Sequence, residues 1–224
     1  MTEVGDLVVY GAGGFSREVA QLVRDINREQ SRWNLLGFLS DDRGTWGANV
    51  ADGPILGGNE WLADRAGRIA VALGLGSPAV KARVVRALGG LRVAFPQLIH
   101  PSVHRSSRFD FGPGAIITAG SIVMTDVRLG AMVTINLGCT LGHDCHVDDF
   151  ATIAPGANLS GHVRVGEGSD IGTGAAIIQG VSVGAWSVVG AGAAVVRDLP
   201  PNCTAVGVPA KVIKQREPGW HERP

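Results

Sequence analysis

A histidine followed directly by a carboxylate, in Leu141-Gly142-His143-Asp144, is the pairing in this sequence best suited to acid–base chemistry. A neighbouring carboxylate can hold one imidazole nitrogen as N–H, which leaves the other as a base near neutral pH. The competing reading is a solvated corner histidine that happens to stand beside an Asp. Of the other histidines, His162 follows Gly161, His146 lies three residues beyond His143, His100 and His104 stand together, and His221 is near the C-terminus. Three histidines can hold zinc, but His143 and His162 would need His146 as the third ligand, so no metal is expected. Cys139 and Cys145 read as core filler, and Cys203 has no base near it in sequence.

A second group of residues is suited to binding. Gly11-Ala12-Gly13-Gly14-Phe15-Ser16 lies between a short strand-like run at 6–10 and an amphipathic stretch reaching about residue 28. Backbone N–H groups at a helix start, unobstructed by side chains, favour phosphate or another anion. Ser16 takes the place of the third glycine of the dinucleotide fingerprint, so nucleotide binding is a better expectation than NAD in particular. Asp41 and Asp42 end the second strand-like run, where they can accept hydrogen bonds from ribose or sugar hydroxyls. The plainer alternative is a tight turn that needs glycine only for packing.

Two kinds of element must position these residues. Strands are predicted at 6–10, 35–39, 69–73 and near 92–95, with helices to about 28 and over 79–88, the alternation of a small parallel α/β unit. Residues 111–200 then divide without insertion into fifteen hexads. Fourteen of the fifteen begin with an aliphatic residue, the exception being Phe111. Fifth positions are small or apolar throughout, and all sixteen glycines of the stretch occupy positions two, three or four. A period of six fits neither helix nor ordinary strand, but it fits a parallel β-helix with inward first and fifth residues. Three hexads per coil would stack residues eighteen apart, which sets Gly161 one coil beyond His143 and predicts an open slot beside the imidazole.

Composition removes other classes. The 224 residues carry 20 Lys plus Arg against 20 Asp plus Glu, so no basic field is available for nucleic acid or an anionic membrane. Three Cys cannot build a disulfide framework. Residues 171–196 contain no charge, a length sufficient to span a bilayer, yet the hexad repeat runs through them unbroken. Residues 1–6 show no signal peptide. A soluble cytoplasmic protein without membrane insertion is expected.

The glycine-turn α/β unit, the hexads containing Ile135-Asn136 and Gly142-His143-Asp144, and Val206-Gly207-Val208-Pro209-Ala210-Lys211 together resemble the sialic-acid O-acetyltransferase family. The likeness reaches to about Lys214. Members are hexapeptide-repeat sugar acyltransferases, and the family includes N-acetyltransferases of nucleotide-linked amino sugars. The resemblance implies a Rossmann-like domain at 1–98, a left-handed β-helix at 99–214 and a homotrimer with active sites between subunits; the charged, Pro-containing residues 215–224 read as a flexible tail or trimer-edge segment. It implies acetyl-CoA as co-substrate, a sugar or nucleotide sugar as acceptor, and His143 as general base supported by Asp144. Coenzyme contacts are implied at Gly161, Thr173, Ala191 and Lys211, and acceptor contacts at Gly13, Gly14, Phe15, Asp41, Asp42, Gly74 and Asn136. Amino-sugar N-acetyltransferases commonly have histidine where this chain has Phe15, and one branch has another at the position of Thr152. Phe15 cannot hydrogen-bond to a polar acceptor, so O-acylation is expected and N-acetylation is the alternative. A zinc-dependent hydratase and a non-catalytic trimeric nucleotide-binding module are the remaining classes.

Overall fold

The computed structural model describes residues 4–50 and 53–222. Residues 1–3, within the segment read as lacking a signal peptide, and residues 223–224 of the tail lie outside the described residues.

The N-terminal unit runs β1 (Gly5–Tyr10), α1 (Gly14–Glu29), β2 (Trp33–Leu39), β3 (Asn49–Val50), β4 (Gly53–Gly57), α2 (Asn59–Ala63), β5 (Ala70–Leu73) and α3 (Pro78–Leu88). Its sheet has the order β3-β4-β2-β1-β5, parallel except for the edge strand β3. Leu7, Val8, Val9 and Tyr10 are all buried, as a parallel strand covered on both faces requires. α1 buries Val19, Ala20, Leu22 and Val23 along one stripe, and Pro78 opens α3 where its missing N–H costs nothing. The strand expected near 92–95 is a single bridge from Ala94 to Ala70. The β3–β4 hairpin and α2 carry no periodic signal, because each is too short to show one.

From Leu98 onward, strands of two or three residues stack in parallel as a left-handed β-helix with three faces. Face 1 starts at Leu98–Ile99, face 2 at His104–Arg105 and face 3 at Phe109–Phe111. Partners are eighteen apart: Thr134 opposite Thr152, Thr140 opposite Asn158, His146 opposite Arg164. Every first-position residue but Phe111, and every fifth-position residue, is buried. Each buried aliphatic contributes roughly 1.5–3 kcal/mol, so the repeat is its own core. The charge-free run at 171–196 is solenoid, and among the described residues no helix is long and apolar enough to cross a membrane.

The N-terminal unit lies on face 1. Leu98 and Ile116 join the core of α1 and its sheet, and Thr152 Oγ1 donates to Gly76 O at 2.9 Å. Lys81 of α3 enters the same junction fully buried, its Nζ donating to Met132 O at 2.9 Å, Thr134 Oγ1 at 3.1 Å and Ala151 O at 3.1 Å. Three acceptors match the three N–H bonds of an ammonium, while desolvation draws its pKa down to about 7.

A hairpin of Cys203–Val206 and Lys211–Gln215 ends the last coil. The tail beyond it, expected to be flexible, is docked as far as Glu222. His221 stacks on Trp186 with ring centroids 3.4 Å apart, Trp220 Nε1 donates to Trp186 O at 3.2 Å, and Glu222 pairs with Arg86 at 3.1 Å. The aromatic pair supplies the apolar surface that a charged tail otherwise lacks.

Candidate active site

His143 stands on the corner between faces 2 and 3. Leu141 and Cys145 anchor the turn inside the core, and Asp144 adopts φ +59°, a left-handed conformation that Asp tolerates better than most side chains. The turn is tied to its neighbours by Asp144 N to Thr125 O at 3.0 Å and His162 N to His143 O at 2.8 Å. His143 Nδ1 lies 2.8 Å from Asp144 Oδ2. Because an ionised carboxylate only accepts, this contact assigns the ring proton to Nδ1 and leaves the lone pair on Nε2. The hydrogen bond from His143 holds the Asp144 carboxyl below its ordinary pKa against the opposing effect of desolvation, with the charges of His162, His143 and Arg108 adding to the lowering. Imidazole and carboxylate are about half exposed, so a substrate can reach them.

Gly161 is buried beneath the ring. A Cβ built there would lie 2.5 Å from His143 Nε2. The slot expected beside the imidazole is therefore filled by the imidazole itself, and Gly161 is its seat. His162 was not connected to the pair by the third-position stack, yet it meets His143 edge-on at 4.9 Å and approaches Asp144 Oδ2 to 3.7 Å through Nε2. The signal was the fourth-position spacing, which stacks Asp126, Asp144 and His162 eighteen apart. Arg108, one coil earlier, pairs with Asp126 at 2.5 Å. His146, the third zinc ligand suggested by sequence, sits instead on face 3 between Arg128 and Arg164.

The remaining coenzyme candidates are elsewhere on the chain. Thr173 and Ala191 are exposed on the corner between faces 1 and 2, joined by Gly192 N to Thr173 O at 2.8 Å. Asn136 shares that corner, where its Oδ1 accepts from Leu137 N at 2.7 Å. Lys211 is exposed on the terminal hairpin. Thr173, Ala191 and Asn136 are not brought to His143 within one chain, because face 2 separates the two corners.

The glycine turn is built as an open helix start. Gly13 caps α1 with no side-chain hydrogen bond, the first turn holds no acidic residue, and a Cβ at Gly13 would meet nothing within 4 Å. A cavity of about 280 Å³ opens there, lined by Gly13, Gly14, Phe15, Gly74 and Ser77. Gly74 serves packing, since a Cβ there would sit 2.6 Å from Ser16 Cα; Ser16 Oγ donates to Gly74 O at 2.8 Å. The two carboxylates expected to meet a ribose already have partners within the protein. Asp41 accepts from the Tyr10 hydroxyl, whose pKa is pushed up by burial first and by that bond second. Asp42 accepts from Gly44 N at 2.9 Å. Asn59 of α2, not anticipated from sequence, completes this network at 2.7 Å from Tyr10. All three cysteines are buried, and Cys139 and Cys145 give their thiols to Ala154 O and Ser160 O, which suits filler.

Comparison with known proteins identifies relatives of the same fold. Residues 6–88 match the PglD N-terminal domain family. A search of curated proteins returns no match. Among solved structures, the acetyltransferase domain of PglB from Neisseria gonorrhoeae shares 33% identity at a TM-score of 0.86, over 93% of this chain and 99% of that one. PerB from Caulobacter crescentus, solved with CoA and GDP-perosamine, shares 30% identity at a TM-score of 0.84, over 95% and 99%. WeeI from Acinetobacter baumannii shares 26% at 0.83, over 94% and 100%. Hexad solenoid, glycine-turn domain and near-complete mutual coverage at this identity converge: the chain belongs to the hexapeptide-repeat sugar acetyltransferases that carry a PglD-type N-terminal domain.

Proposed function

We propose that the protein transfers the acetyl group of acetyl-CoA to the amine of a nucleotide-linked amino sugar, with His143 as general base. The observation that carries the reading is the half-exposed His143–Asp144 pair, with Nδ1 held by the carboxylate and Nε2 left as acceptor. As the amine attacks the thioester carbonyl, Nε2 takes its proton; the C–S bond then breaks and the proton returns to the departing thiolate. The anion-favouring start of α1 suits the acceptor's diphosphate. PerB, 30% identical, was solved with GDP-perosamine, and a PglB acetyltransferase domain at 33% identity was solved with acetyl-CoA.

We further propose that the working unit is a homotrimer. The N-terminal unit lies on face 1, whereas His143 stands on the opposite corner, so one chain does not bring its glycine turn to its own base. Face 2 exposes Ile122, Met124, Ile178 and Val196, with Leu137 on its leading corner. An apolar strip of this kind on a rigid face suits a second copy. A neighbour packed there would set its own corner residues, Asn136, Thr173 and Ala191 among them, against the first chain's His143.

Transfer to a hydroxyl is the second reading, favoured by the apolar Phe15 at the cavity. Mass spectrometry of acetyl-CoA reactions with nucleotide-linked amino sugars, beside the matching sugars that carry only hydroxyls, separates the two. A 42-dalton gain, the mass of one acetyl replacing one hydrogen, on amino sugars alone is the expected result. Gain on hydroxyl sugars alone would reverse the assignment, and gain on neither would end both.

A further inference from the structure

Asp144 has a histidine on each side. One ligand atom each from His143, Asp144 and His162 lies within 4.8 Å of the others. The placement is set by the backbone: Asp144 and His162 occupy equivalent left-handed corner positions, φ +59° in both, on consecutive coils. The hydrogen bond from His162 N to His143 O fixes the spacing of those coils. The three side chains are 49%, 42% and 56% exposed, free to turn toward a common centre and open to solvent. Two imidazoles and a carboxylate are the donor set of zinc and similar divalent transition ions, bound at about 2.0–2.2 Å. Bringing atoms now 2.8 and 3.7 Å apart around one ion needs side-chain rotation and no backbone movement.

We propose that His143, Asp144 and His162 form a site for a divalent transition ion, and that occupation of this site stops acetyl transfer. The binding stands on geometry alone; the inhibition rests on the reading of His143 as base. An ion on Nε2 takes the lone pair directly. An ion on Nδ1 displaces the proton there, which moves to Nε2 and occupies the same lone pair. In either case the imidazole no longer accepts a proton from the acceptor.

The test uses full-length protein freed of metal with a chelator and then titrated with zinc chloride against a chromophoric chelator. One zinc per chain is expected, with affinity falling by roughly tenfold or more in His162→Asn. Asparagine tolerates the left-handed corner, and circular dichroism together with oligomer size checks that the variant is folded. Acetyl transfer by the unsubstituted protein should fall with the same midpoint as binding and return on adding EDTA, while His162→Asn should need correspondingly more zinc. No stoichiometric binding, or equal binding by His162→Asn, would overturn the site. Zinc held through His162 with undiminished transfer would overturn the inhibition and the base assignment while leaving the site in place.

Discussion

On the proposed reading, His143 and the two residues that position it carry the chemistry. Replacing His143 with Ala should lower kcat by roughly 10²–10⁴-fold, the range for loss of a general base, with KM for acetyl-CoA little altered; a steady-state rate near normal would remove the assignment. Asp144→Asn keeps the shape but replaces an ionised, acceptor-only carboxylate by a neutral amide that holds the proton on Nδ1 less firmly, and it should cost less than His143→Ala. The reverse order of the two losses would mean that the carboxylate, not the imidazole, takes the proton. Gly161→Ala places a methyl 2.5 Å from the present position of Nε2, so the ring must move. A displacement of about 1 Å at a reacting group costs roughly 100-fold. The expected signature is a kcat loss of that order in a protein whose melting temperature is nearly unchanged, and full activity would show that the ring has another productive seat.

The elements that hold these residues differ in how far they could be read ahead. Solenoid coils were legible because each hexad repeats one inward aliphatic and one inward small residue, from Ile117 and Ser121 to Val195 and Leu199, and the eighteen-residue stacking follows from three hexads per coil. His143 and Asp144 were legible for the same reason. His162 is named beside His143 only as a zinc candidate, and its approach to Asp144 was hidden because contacts at a corner depend on the fourth-position backbone turning left-handed, which aims its side chain back at Asp144. Asn59, on a helix of five residues, gave no periodic signal to read. Lys81 was also hidden: on an amphipathic helix a lysine reads as solvated, and only the solenoid's carbonyls explain its burial. Lys81→Met removes the donor to Met132 O and Thr134 Oγ1, while Ala151 O keeps the Thr134 N–H, and should cost about 2 kcal/mol, visible as a lower melting temperature. Its pH dependence has a definite sign. The folded-state pKa is about 7, down from 10.5, so between those values the unfolded chain holds a proton that the folded chain has released. Stability from this group therefore rises with pH across that window. Melting curves of the unsubstituted protein should show the rise, and Lys81→Met should lack it; identical slopes would show that the ammonium remains charged in its three-acceptor nest.

At the scale of the whole molecule, the central claim is that an acceptor held by one chain is deprotonated by His143 of another. The N-terminal unit and the His143 corner occupy opposite sides of the same solenoid, and the exposed apolar residues between them wait on face 2. Sedimentation of the purified protein should give a trimer, and Ile178→Glu, which places a charge in the apolar strip, should shift it toward monomer with parallel loss of activity. The most direct measurement co-expresses two variants that are each inactive alone. His143→Ala lacks the base, and Gly13→Asp sets a carboxylate at the helix start meant for phosphate. Random mixing at equal amounts creates an intact pairing at about one junction in four, so mixed trimers should recover about a quarter of the unsubstituted rate. Activity no higher than that of the two variants assayed separately would contradict the account, because base and acceptor site would then have to come from one chain.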